Sequence, residues 1–209
     1  MESDLGLLRR FLTEDSVFLE VGPGDCAVSR AVSEVVKQVY AIDVSSATAS
    51  GIPNPDNFQL VVSDGTSIPV PSGTVDVAYS NQLMEHLHPD DAVEQLTNIY
   101  TALKPGGLYL CITPNRVNGP HDVSKYFDKV ATGLHLREYA TAELVALFRS
   151  VGFSVSAHLF TRGKSISAPL WVIRLFEAAL GILPHAIRRR VTKTRPVKVL
   201  LQTIVIGRK

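Results

Sequence analysis

Two glycines set one residue apart at the end of an apolar run constrain this chain more than any other feature. The run is Val17-Phe18-Leu19-Glu20-Val21, followed by Gly22-Pro23-Gly24-Asp25-Cys26. Val17 to Val21 suit a buried parallel strand, and the glycines allow a tight turn with close approach of the backbone to a ligand lying across the strand end. Ala27 to Lys37 (AVSRAVSEVVK) then places apolar residues three and four apart, which predicts a helix packing back onto a sheet. Strand, glycine turn and helix in succession point to an open α/β fold whose site lies at the carboxyl ends of its strands.

The spacing Gly22-x-Gly24-x-x-Ala27, with Asp43 about twenty residues on, also fits a dinucleotide fingerprint. Glu20 argues for a different ligand. A carboxylate two residues before the first glycine can face a positive group but would repel a pyrophosphate at the helix N-terminus. A cationic, non-phosphorylated nucleoside fits better. The segment Glu20-Val21-Gly22-Pro23-Gly24 resembles the first motif of the class I S-adenosylmethionine (AdoMet) methyltransferases, and within them the type 11 small-molecule group. The resemblance implies that Glu20, Gly22 and Gly24 line the site around the methionine part of AdoMet.

Later segments continue the resemblance in the proper succession. Gln38 to Ile42 predicts a second strand ending at Asp43-Val44, where a carboxylate can accept both hydrogens of a ribose diol. An Asp at that point could equally cap a helix beginning near Ser45. Phe58 to Val62 predicts a third strand running into Asp64-Gly65-Thr66; Asp64 resembles the acid that bonds the adenine amino group, and the amide of Gly65 or Thr66 would read a ring nitrogen. Thr74 to Tyr79 predicts a fourth strand, and Ser80 and Asn81 at its end are expected to contact cofactor or substrate. Glu85-His86-Leu87 and the turn Lys104-Pro105-Gly106-Gly107 are further family features, the second of them structural.

At 209 residues the chain is expected to form a single domain over 1–209. Cys26 and Cys111, the only cysteines, sit in apolar segments outside any metal-ligand spacing and read as buried free thiols. The opening Met1-Glu2-Ser3-Asp4 is acidic, unlike a secretion leader, and favours a cytoplasmic protein. The net charge of +1 conceals an asymmetry, because Thr161 to Lys198 carries nine Lys and Arg against Glu177 alone. One surface is therefore basic.

Leu108 to Thr113 predicts a fifth strand, Thr141 to Val151 a helix stopped by Gly152, Phe153 to Phe160 a sixth strand, and Val197 to Ile206 a seventh. Residues 114–139 form a connection long enough to be functional, and there the substrate is expected to be read. Residues 161–197 are an insertion. Within it Ala168 to Leu183 predicts a broad apolar helix, too interrupted by Arg174 and Glu177 to span a membrane. It reads as a lid, a dimer surface or an interfacial helix, and the charge over residues 168–198 suits either a solvated basic edge or contact with an anionic membrane surface or a pyrophosphate-linked substrate. No RNA-binding module accompanies the charge, so nucleic acid is not expected.

The expected fold is a doubly wound, mostly parallel sheet of seven strands in the order 3-2-1-4-5-7-6, with a helical insertion between the last two. The implied reaction moves a methyl group from AdoMet to a small-molecule, glycan or lipid-linked acceptor. A hydroxyl acceptor needs its proton removed, and His121 and His135 are the bases to test. Glu85, His86 and His88 lack the two-His spacing of a helical zinc site, so a metal-independent enzyme is expected. A nicotinamide-dependent oxidoreductase and a non-catalytic AdoMet-binding protein acting through its basic insertion are the alternatives.

Overall fold

The computed structural model describes residues 2–46, 54–161, 164–201 and 203–209. A parallel core of five strands comprises β1 (Val17–Val21), β2 (Gln38–Asp43), β3 (Phe58–Val62), β4 (Val75–Asn81) and β5 (Leu103–Ile112). Three further strands, β6 (Ser154–Thr161), β7 (Lys164–Ala168) and β8 (Thr203–Arg208), pair antiparallel. The order across the sheet is β3-β2-β1-β4-β5-β8-β6-β7. Its first seven positions reproduce the expected 3-2-1-4-5-7-6, with β8 as the strand anticipated as the seventh.

Two details of the insertion differ from expectation. Lys164–Ala168 adds an edge strand to β6, in a segment too short and polar for its alternation to stand out from a loop. The seventh strand does not begin at Val197. Arg195–Leu201 is a helix, α7, and only Thr203 onward pairs with β5 and β6. The apolar run VKVLL suits either state, and ladder partners begin only after it. Between β7 and α7 stand α5 (Leu170–Ile182) and α6 (His185–Thr192). The break falls at Leu183–Pro184, because proline cannot donate to the preceding turn but is tolerated at a helix start.

Strand alternation sends residues to two cores. Leu19 and Val21 face α3 (Pro89–Ala102) and α4 (Thr141–Val151), in a cluster that includes Leu96, Ile99, Leu144 and Phe148. Phe18 faces the other side, where Leu7 and Leu8 of α1 (Glu2–Leu8) and Val32 of α2 (Ala27–Ser33) cover it. Burial on both faces explains why the parallel strands read as continuous apolar runs. Cys26 and Cys111 are free and buried, as expected.

The register aligns the strand tips. Glu20 lies beside Ala41, and Ala41 beside Leu60; Asp43 lies beside Val62, and Asn81 beside Ile112. The chain turns one way from β1 to β2 and the other way to β4, so a crevice opens at the carboxyl ends of β1 and β4.

Candidate active site

The glycine turn has the backbone its composition suggests. Gly22 and Gly24 have φ of 70° and 55°, and a side chain on Gly22 would press against Leu83, 3.0 Å away. Cys26 shares the left-handed conformation at φ 59°, letting the chain enter α2 directly.

Glu20 falls on the same strand face as Phe18, towards α2, where it accepts a hydrogen bond from the Ser29 hydroxyl. It is only 4% exposed. Burial pushes its carboxyl up to about 7, against hydrogen bonds from Ser29 that pull the other way. A cation near this group would draw the proton off.

At the tip of β2, Asp43 uses Oδ1 to accept the Ser45 amide at 3.2 Å; the helix expected to begin near Ser45 would fall on residues 47–53, outside the described residues. Val44 beside it is 63% exposed, and a β-carbon on Gly65 would lie 3.4 Å from it. The tips of β2 and β3 thus bring an apolar side chain against a bare backbone of φ 101°, a surface suited to a flat aromatic ring.

Asp64 chiefly organises its own turn. It accepts from the amides of Thr66 (3.0 Å) and Ser67 (2.8 Å) and from the Ser67 hydroxyl (2.8 Å). These bonds hold its carboxyl well below the usual range. The turn is fixed from outside by α3, whose Gln95 donates to the Gly65 carbonyl (2.6 Å) and Asn98 to that of Thr66 (3.0 Å). Neither amide was legible as a supporting residue in the sequence, where both sit on an ordinary helix. The Ser80 hydroxyl is buried against the Tyr109 hydroxyl at 2.7 Å, which turns it towards the core; Asn81 stays partly exposed at the crevice.

The 114–139 connection is ordered by acids. Its ends close through a bridge between Asn115 and Tyr139. Asp122 accepts from the amides of Ser124, Gly133, Leu134 and His135. Burial alone would raise its carboxyl, but the donated hydrogen bonds outweigh that and hold it well below the usual range. Glu138 accepts from the His121 amide (2.7 Å) and from His135 Nδ1 (2.8 Å).

The two histidines differ in what remains open. His121 Nε2 lies 3.1 Å from the Asn115 carbonyl and 3.0 Å from Asn118 Oδ1, both acceptors, so it carries the hydrogen and holds the loop. His135 is fixed by Glu138 at Nδ1 and presents Nε2. Its ring stacks edge-on against His86, with centroids 5.0 Å apart.

Beside this loop lies a cleft of about 640 Å³, walled by the connection on one side and by α4, α5 and α6 on the other. Its cations are Arg116, Lys129, Arg137, Arg174 and Arg188; its acids are Glu138, Glu143 and Glu177. All three acids are engaged. Glu143 pairs with Arg116 at 3.0 Å, and Glu177 accepts from Asn115 (2.7 Å) and the Thr141 amide (2.9 Å). The cleft therefore has a surplus of positive charge. Glu177 stands out in the sequence only as the lone acid of a basic insertion; its role as an anchor to α4 required the fold.

Comparison with known proteins shows what this crevice resembles. A family model for the type 11 methyltransferase domain matches residues 19–111, the stretch from β1 through β5 that builds the crevice. Over this stretch the chain is similar to the class I AdoMet-dependent methyltransferases of the type 11 group. A probable AdoMet-dependent methyltransferase of Mycolicibacterium smegmatis is 30% identical over 138 residues, covering 66% of this chain and 51% of that protein. One from Mycobacterium tuberculosis is 26% identical over 136 residues, covering 65% and 47%. The chain thus spans about half the length of the curated relatives it matches. Among solved structures, the putative methyltransferase complexed with the Trm112 activator of Haloferax volcanii aligns with a TM-score of 0.69 at 19% identity, covering 99% of this chain and 88% of that one. An AdoMet-dependent methyltransferase from Mesorhizobium loti gives 0.62 at 16% identity, covering 99% and 98%. These likenesses show the fold. The cofactor of this family is AdoMet, and the open glycine turn together with the Val44–Gly65 surface fits it.

Proposed function

We propose that the chain transfers a methyl group from AdoMet to a small anionic acceptor, and that a lipid-linked acceptor at an anionic membrane surface fits best. The observation that carries this reading is the basic cleft between the 114–139 connection and the insertion, where Arg174 and Arg188 make no ion pair among the described residues. When bound, AdoMet supplies an electrophilic methyl carbon. The protein's own tasks are then to orient, to desolvate and to handle one proton.

Gly22 and Gly24 admit the cofactor's methionine end to the backbone, and Asp43 has an oxygen beyond Oδ1 for the ribose. Val44, Gly65 and the Thr66 amide form the adenine wall, with Asp64 stiffening the turn that presents it. Asn81 lies at the tip of β4, between the cofactor side and the loop. His135, oriented by Glu138, presents Nε2 as a Lewis base, whereas His121 retains only Nδ1 for that role.

The insertion supports the lipid-linked choice. Trp171, Leu175 and Ile182 of α5 are exposed at helical spacing, and Arg188, Arg189 and Arg190 of α6 follow directly. No helix among the described residues is long and apolar enough to cross a membrane.

Two measurements test the reading. AdoMet should raise the melting temperature while NAD(P) does not, and Asp43→Ala should weaken AdoMet binding at least tenfold with the fold intact. Arg174→Glu with Arg188→Glu should weaken binding to vesicles containing anionic lipid and leave AdoMet affinity alone. A response to NAD(P) instead would favour the oxidoreductase. AdoMet binding with no methyl transfer to any anionic lipid or small anionic acceptor would favour the non-catalytic alternative.

A further inference from the structure

The sequence offers Glu85, His86 and His88 as a failed metal motif, and His88 indeed serves elsewhere, its ring accepting the Asp90 amide at the start of α3. The fold puts a different histidine in its place. The amides of Leu136 and Arg137 donate to the Glu85 carbonyl at 2.7 and 3.1 Å, stitching the 134–137 segment onto the turn at Met84–His86. His135 is thereby carried to Glu85 and His86. One donor atom from each of the three lies within 4.8 Å of the other two.

The protonation of both rings can be read from their partners. His86 Nδ1 faces the Leu134 carbonyl at 3.2 Å, and His135 Nδ1 faces the Glu138 carboxylate at 2.8 Å. A carbonyl and a carboxylate can only accept, so each Nδ1 carries the hydrogen and, in the neutral ring, each Nε2 keeps a lone pair. A carboxylate or carbonyl behind the far nitrogen is the arrangement that orients metal-ligating histidines.

Glu85 supplies the independent observation. It is fully buried, its Oε2 accepts the Thr113 hydroxyl at 2.9 Å, and its Oε1 has no hydrogen-bond partner. Buried carboxylate oxygens are rarely left so. The residues facing the cluster are Thr113, Glu138 and the 134–137 backbone, with no Lys or Arg bonded to Glu85 among the described residues.

We propose that Glu85, His86 and His135 bind a divalent transition-metal ion, with Glu138 and the Leu134 carbonyl orienting the two imidazoles. Two imidazoles and one carboxylate suit Zn²⁺, Mn²⁺ or Fe²⁺ and disfavour Mg²⁺, which prefers an all-oxygen shell. Ligand atoms around a tetrahedral Zn²⁺ stand roughly 3.4 Å apart, given bonds of about 2.1 Å, so small side-chain rotations close the set. Three protein ligands leave a position for water or an acceptor oxygen. In that state His135 is a ligand and not a base, and acidification of a hydroxyl passes to the metal. The metal site itself does not depend on the methyl-transfer reading.

The test is binding of the metal alone to the full chain after EDTA treatment and desalting, by calorimetry with Zn²⁺ and by visible absorption with Co²⁺. The expected result is one ion per chain, with Mg²⁺ at equal concentration unable to compete. His86→Ala, on an exposed side chain, should weaken Zn²⁺ at least tenfold, and Glu138→Gln should weaken it by about 10–100-fold through loss of ring orientation. Circular dichroism checks that each variant folds. No saturable one-to-one binding by the unaltered chain, or undiminished binding by the His86→Ala, His135→Ala double variant, overturns the proposal. Because AdoMet is absent from this experiment, its failure leaves the proposed methyl transfer standing.

Discussion

Replacing Glu177 with alanine should detach the basic insertion from the α/β body. The carboxylate is 5% exposed and accepts the Asn115 side-chain amide at 2.7 Å and the Thr141 amide at 2.9 Å; a third contact, to the Ala142 amide at 3.5 Å, is too long to count for much. Thr141 and Ala142 open α4, and the residue before them, Ala140, has no side chain able to cap them. Glu177 therefore caps this helix from a distance of 36 positions in sequence. Truncation leaves two buried donors short of an acceptor, at about 1–3 kcal/mol each. It also removes a negative charge from a helix N-terminus, worth about 0.3–1 kcal/mol. Asn115 keeps a bond to the Thr141 hydroxyl at 3.2 Å, which offsets part of the loss. The net expectation is about 3 kcal/mol for Glu177→Ala, and about 1 kcal/mol for Glu177→Gln, which keeps the shape and one acceptor. Urea unfolding of both variants gives the global figure. Native-state hydrogen exchange gives the local one: the Thr141 amide should exchange on the order of 100-fold faster in the alanine variant. An unaltered exchange rate at Thr141, with an unaltered unfolding midpoint, would refute the idea that this carboxylate joins insertion to body.

Glu20 makes the unliganded protein less stable as pH rises. Its folded pKa of about 7 lies above the ordinary carboxyl value, so the folded state holds the extra proton between about 4.5 and 7 and stability falls across that window. Glu20→Gln should flatten the decline, and AdoMet binding at pH 7 should release protons in the parent but not in the variant, measured by calorimetry in buffers of different ionisation enthalpy. Asp122 has the opposite sign: its folded pKa is depressed, so its contribution is complete above the ordinary carboxyl range and is lost as pH falls below it. Asp122→Asn should strip exchange protection from the amides of Gly133 to His135 while the sheet keeps its own. Gly119→Ala would set a β-carbon against Glu138 Oε2, forcing that carboxylate off His135. A loss of about 1–3 kcal/mol, read as a lower melting temperature, is expected, and an unchanged melt with the His135 N–H signal still in place would count against it.

What the chain determined locally is the sheet and its ligand edge. Apolar strands, the first three of which run into a glycine or an acid, suit a sheet buried on both faces, and the doubly wound order places Gly22, Asp43, Val44 and Gly65 at one rim. Periodicity says little about which way a side chain on a given tip will lean. The Glu20 carboxylate meets Ser29 beside α2, and Ser80 on the other face turns to Tyr109, because buried polar groups take a polar partner within reach. Residues distant in the chain met only on folding. His135 reached Glu85 and His86 through two backbone hydrogen bonds, and Glu177 reached α4 across 36 positions. Backbone amides and carbonyls carry no residue label, so contacts made through them leave no mark in the sequence and are decided by tertiary structure alone.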